Sequence, residues 1–157
     1  MSDHLRHAGR PAEEQAEALR QIIRGSPLLT TVLERARGMR LRDWRIVSGA
    51  IYNTVWNVLT GRPLNSGIKD VDLFYWDGSD LSYAAEDAVI RRGAELFADL
   101  PVPVEIRNQA RVHLWYEAHF GTPYAPDRPR IAAAADGARA RPRHAAPRLA
   151  NRFGRDL

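Results

Sequence analysis

The apolar run Val71, Leu73, Phe74, Tyr75 and Trp76 is entered through Asp70-Val71-Asp72, and no other stretch constrains the fold as much. Its composition predicts a buried strand. Residues i and i+2 of a strand share a face, so the two carboxylates stand side by side and repel unless a cation or a proton lies between them. A divalent metal with hard oxygen ligands relieves that repulsion. Mg²⁺ in particular is commonly held by one or two carboxylates together with the phosphates of a nucleotide.

The elements around this strand follow from periodicity and capping. Ala12 to Arg24 carries Ala16, Leu19, Ile22 and Ile23 at helical spacing, with acidic residues early and Arg late, as the helix dipole prefers. Gly25-Ser26-Pro27 stops it, and Ser26 caps a second helix to about Arg37, with Pro27 at its first position. Trp44 to Val47 is a short strand, closed by Ser48-Gly49, and Ala50 to Leu59 is a helix. A loop from Gly61 to Gly67 precedes the Asp70 strand, and Asp77-Gly78-Ser79-Asp80 turns the chain after it. Ser82 to Leu100 is the next helix, Pro101 to Arg107 a third strand, and Ala110 to Phe120 a last helix ended by Gly121. The order α-α-β-α-β-α-β-α predicts an α/β or α+β domain with a small mixed sheet flanked by helices.

At 157 residues there is room for one domain with a real core. The absence of cysteine excludes zinc fingers, disulfides and thiol nucleophiles. No apolar stretch reaches the roughly 20 residues of a membrane span, and Met1-Ser2-Asp3-His4 lacks a signal layout, so the expected setting is the cytoplasm, with no membrane partner. The net charge of +4 is unevenly placed. Residues 126–157 contain eight Arg and three Asp, leaving a net of −1 on residues 1–125, so the folded part carries no charge argument for nucleic acid. Three segments are expected: a disordered N-terminus (1–11), one domain (12–124) and an Arg/Ala/Pro-rich tail (125–157) too poor in large apolar residues to offset its ordering entropy.

Two further pieces bear on chemistry. Ser48-Gly49 lies at a strand-to-helix turn, where small residues let a phosphate approach the amides of a helix N-terminus, although steric need explains small residues equally well. Glu105 is an acidic residue inside an apolar strand, opposite in facing to Val104 and Ile106. Beside the Asp70 strand it would complete a three-carboxylate cluster able to hold two metal ions for in-line phosphoryl displacement. The alternative is an ion pair with Arg107 or Arg111. His113 and His119, six apart, miss the i, i+4 spacing of a helical metal pair, and the four Trp are expected to build the core.

The run Ser48-Gly49-Ala50-Ile51-Tyr52-Asn53, then Leu59-Thr60-Gly61-Arg62-Pro63, then Lys69-Asp70-Val71-Asp72-Leu73 resembles the head-domain signature of the DNA polymerase beta nucleotidyltransferase superfamily, most nearly its tRNA CCA-adding and poly(A) polymerase branch. Gly49 to Trp56, Asp70 to Asp77 and Asn108 to Tyr116 more closely resemble a bacterial group of nucleotidyltransferase-like proteins of unassigned substrate. The resemblance implies a minimal nucleotidyltransferase fold. It implies an NMP passed from an NTP to an unidentified acceptor, with two Mg²⁺, or Mn²⁺, on Asp70, Asp72 and Glu105. Gly49 is the implied contact to the nucleotide phosphates, and Ser48, Asn53, Lys69 and Arg111 are further candidates for substrate contact read from the residues themselves. Ser48 stands where the CCA-adding branch has its first Gly, and Tyr52 and Asn53 where it has Arg and Asp. General nucleotidyl transfer therefore carries over more readily than CCA addition.

Relatives of this type continue past Tyr124 with helical sequence, whereas here the composition changes at Ala125. With 22 Arg against one Lys, the chain has the stamp of GC-rich coding, and a frameshift near Ala125 to Arg128 would yield such a tail. A genuine basic tail binding nucleic acid through phosphates is the competing reading. A non-catalytic nucleotide-binding or antitoxin-like protein of the same fold is the other rival to the enzyme.

Overall fold

The computed structural model describes residues 3–122, and the readings made for the tail lie outside these residues. Helix α1 (Ala12–Arg24) and helix α2 (Pro27–Gly38) meet at Ser26, whose hydroxyl accepts from the Leu29 amide at 3.4 Å. Strand β1 (Arg45–Val47) leads through Ser48 into helix α3 (Gly49–Thr60), which stops at Gly61 with φ 68°. Strand β2 (Val71–Tyr75), helix α4 (Tyr83–Leu96) and strand β3 (Val104–Asn108) follow, then a 3-10 turn (Gln109–Arg111) and helix α5 (Val112–Phe120).

The sheet order is β1-β2-β3, with β1 antiparallel and β3 parallel to the central β2. Alternation along β2 sends Val71, Leu73 and Tyr75 into the core and leaves Asp72 and Phe74 half-buried on the other face. The core face packs with Leu29, Val32 and Ala36 of α2, Ala50 and Ile51 of α3, and Ile106 of β3. Among the described residues no helix is long and apolar enough to cross a membrane.

Several boundaries differ from expectation. Helix α4 ends at Leu96 rather than Leu100 because Arg35 of α2 reaches across to it. The guanidinium donates to the Leu96 carbonyl at 2.8 Å and grips Asp99, holding that carboxyl down at about 2. Strand β3 starts at Val104 rather than Pro101, since prolines at 101 and 103 have no amide to donate; Pro103 still accepts from the Val71 amide at 2.9 Å. The N-terminal segment expected to be disordered, residues 1–11, is described from residue 3 onward. A 3-10 turn at Asp3–Leu5 lies against α3, the His4 ring is 6.3 Å from that of Trp56, and Gln15 Nε2 donates to the Arg10 carbonyl at 2.8 Å. Of the tryptophans, Trp44 alone packs, half-buried, against the core cluster; Trp76 is half-buried, and Trp56 and Trp115 are exposed, the last in ring contact within α5 with Tyr116, His119 and Phe120.

Gly93 sets how closely α4 lies on the sheet. A methyl group there would overlap the Ile106 side chain, which is itself fully enclosed. Gly93→Ala is expected to lose about 1–3 kcal/mol through overpacking, offset in part by the ~1 kcal/mol gain in helix propensity. Urea unfolding, with Gly93→Ala/Ile106→Val restoring part of the loss, checks it.

Candidate active site

The turn from β1 to α3 is built on backbone strain. Ser48 has φ 63° and ψ −142°, a region open to glycine and costing an L residue about 1–3 kcal/mol. Its hydroxyl does not cap α3; it bears instead on the Asp72 carboxyl of the neighbouring strand, whose pKa it lowers. Gly49 opens the helix, and a Cβ there would meet only Asn53 Nδ2, at an ordinary 3.7 Å. Nothing in the described chain requires position 49 to lack a side chain. The small residue leaves the amide end of α3, the positive pole of its dipole, open to an anion.

This makes Gly49 a test of purpose. Gly49→Ala is expected to leave stability unchanged or raise it by up to about 1 kcal/mol, while nucleotide affinity falls on the order of tenfold. Thermal unfolding and calorimetric titration of the same preparation read both quantities.

The loop that delivers the acidic strand is held by two asparagines one turn apart on α3. Asn57, buried, donates to the carbonyls of Leu64 at 2.9 Å and Ser66 at 2.8 Å, and Asn53 donates to that of Gly67 at 3.2 Å. Asn53, a sequence-based candidate for substrate contact, thus has its amide engaged in positioning the loop. Lys69 is exposed just beyond it, and Asp70 is half-buried one residue before β2 begins.

On the face of the sheet away from α4, Val47 and Glu105 lie on either side of Asp72 in register. The Asp72 carboxyl is raised above the usual aspartate range, first by burial and then by repulsion from Asp70 and Glu105. The Ser48 hydroxyl and the Arg107 guanidinium pull it the other way. Glu105 pairs with Arg107, Nη2 to Oε2 at 3.4 Å, so the expected alternative of an ion pair within β3 is realised. Among the described residues no three His, Cys, Asp or Glu side chains are disposed to hold a metal ion. The donor set still fits a Mg²⁺-like ion that takes two carboxylates, Asp70 and Asp72, and completes its shell with phosphate and water.

Arg111 does not join this group. It donates to the carboxylate of Glu86 on α4 and, through Nε, to the Leu81 carbonyl at 2.9 Å; its guanidinium lies 5.8 Å from the Tyr83 ring. Glu86 also accepts from the Asn108 amide at 2.7 Å, and the Asn108 side chain exchanges bonds with the backbone of Asp77, at 3.1 and 2.8 Å. Burial, with Glu86 and Asp77 nearby, pushes the Tyr75 hydroxyl up to about 12. This polar hub ties the far ends of β2 and β3 to α4, at the opposite end of the strands from Asp70. Sequence reading missed it, although an acidic residue at a half-apolar helix position followed by Asn-Gln-Ala-Arg was its trace.

A nucleotidyltransferase family model matches residues 34–139. The chain is also similar to a protein whose NMR structure is described as revealing a CCA-adding enzyme head domain. That similarity has a TM-score of 0.53 and 23% identity over 83% of this chain. The chain spans about 62% of that structure's length. Comparison with curated proteins gave no match. With about two thirds of its length matched by the family model, the chain belongs to this nucleotidyltransferase family.

Proposed function

We propose that the protein is a metal-dependent transferase that passes a nucleoside monophosphate from an NTP to an acceptor. The observation that carries this reading is the placement of Asp72, with the Ser48-Gly49 turn on one side and Glu105 in register on the other. The triphosphate lies at the N-terminus of α3, where the missing side chain of Gly49 admits it to the helix amides. Ser48 orients Asp72 through its hydroxyl. Asp70 and Asp72 would hold Mg²⁺ or Mn²⁺, with Glu105 as the third acidic group and exposed Lys69 as a further phosphate contact. The bound ion supplies neutralisation of the triphosphate and a more acidic acceptor hydroxyl. The acceptor oxygen forms its bond to the α-phosphorus as the bond to pyrophosphate breaks, and positioning supplies much of the rate.

Titrating each NTP into the full chain with and without Mg²⁺ tests the reading. Binding that requires the metal is expected, and binding indifferent to it overturns the proposal. A nucleotide-binding protein without turnover is the second reading, favoured by the Glu105–Arg107 ion pair, which occupies the third carboxylate. Pyrophosphate release in the presence of candidate acceptors separates the two. The resemblance to CCA-adding proteins makes RNA 3′ ends the first acceptors to assay.

A further inference from the structure

Arg107 stands two residues beyond Glu105 on β3, beside Phe74 of β2, and so shares the open face with Asp72. Its guanidinium is held at one corner by a bond from Nη1 to the Ile106 carbonyl at 3.0 Å, and at another by the 3.4 Å contact to Glu105. Both partners of that ion pair are close to half exposed, at 48% and 47% of their side-chain area. A pair so long and so open contributes little to the fold, typically under about 1 kcal/mol, and is readily exchanged. It nonetheless does one thing no other described cation does there. It neutralises the carboxylate that register places beside Asp72.

Resting on the nucleotidyl-transfer reading above, we propose that Arg107 is a positioning residue that exchanges partners. Without nucleotide it holds Glu105; when Glu105 turns to the metal beside Asp72, Arg107 turns its fork to a phosphate of the incoming nucleotide. The geometry suits the exchange, because the backbone bond to Ile106 anchors one nitrogen while the half-exposed side chain leaves the rest of the fork open to solvent. A planar fork matches two phosphate oxygens, which a lysine cannot do. Charge balance favours it too: the ion and the triphosphate arrive together, and the released cation meets the net negative charge they bring.

The test uses the full chain with Mn²⁺ alone, followed by electron paramagnetic resonance, and with Mn²⁺ plus ATP, followed by calorimetry. Arg107→Gln is expected to bind Mn²⁺ alone several-fold more tightly, because Glu105 is freed. It is expected to bind Mn²⁺-ATP on the order of tenfold more weakly, because a charge-assisted phosphate contact is lost. Arg107→Lys recovers the first property and not the second. Glu105→Gln/Arg107→Gln binds Mn²⁺ alone no better than Glu105→Gln, since the two residues act as a coupled pair. Unchanged binding of both ligands in Arg107→Gln overturns the proposal, and so does tighter metal binding without loss of ATP affinity, which marks a mere counter-ion. The underlying reading fails separately, if the unmodified chain binds ATP equally with and without metal.

Discussion

Asp70→Asn/Asp72→Asn is expected to abolish Mg²⁺-dependent nucleotide binding and to lower any pyrophosphate release by at least about 10²–10³-fold, with the fold intact. Both carboxylates lie on the open face and neither is part of the core. The single change Asp72→Asn is expected to stabilise the metal-free protein at neutral pH. Asp72 is raised above its ordinary range by burial and by its acidic neighbours. The stability it contributes is therefore present below the ordinary aspartate range and lost as pH rises through its folded value. The gain from Asn is largest at neutral pH and shrinks as the solution is acidified through the carboxylate range. Chemical unfolding at several pH values, beside calorimetry with Mg²⁺ and NTP, reads both effects. A variant that keeps metal-dependent binding removes the carboxylates from the site.

The largest loss of stability is expected at the other end of the sheet. Glu86 and Arg111 are nearly enclosed, with side-chain exposures of 10% and 12%, and Glu86 also serves the Asn108 amide. Removing one partner of such a pair strands the other, so Glu86→Ala is expected to lose about 3–5 kcal/mol, a large part of the 5–15 kcal/mol that holds a typical domain. Glu86→Gln keeps one acceptor oxygen, enough for the Asn108 amide or the Arg111 guanidinium but not both, and loses less than Glu86→Ala. Arg111→Met discriminates between two roles for the arginine. Lost stability with unchanged nucleotide affinity in the surviving folded protein supports the hub, and the reverse makes Arg111 a ligand contact. Denaturant midpoints and calorimetry on the same samples decide it.

Much of this architecture was legible because its signals are local. Pro27 after Ser26, Gly61 after an apolar helix, and the alternation through Val71, Leu73 and Tyr75 each act within a few residues, and α1, α2, α3 and β2 fall where these signals place them. The single acidic residue in an apolar strand singled out Glu105, but only the structure places β3 parallel beside β2, with Glu105 in register with Asp72. The remainder depends on partners distant in sequence. Arg35 ends α4 from 61 residues away, and Arg111 is claimed by Glu86 from 25 residues away. Asn57 is a buried amide whose acceptors are loop carbonyls, groups every residue possesses. The strain at Ser48 was also out of reach, because a serine at a strand-to-helix turn does not announce its φ.

The mixed sheet has a consequence for how the site is put together. The antiparallel pair of β1 and β2 is joined by α3 and a loop tied to α3 by two asparagines, whereas the parallel pair of β2 and β3 is joined by the whole crossover through α4. Ser48, Gly49, Asp70 and Asp72 thus belong to the antiparallel half of the sheet and the connection that closes it, whereas Glu105 and Arg107 are brought to that half only by the parallel pairing of β3.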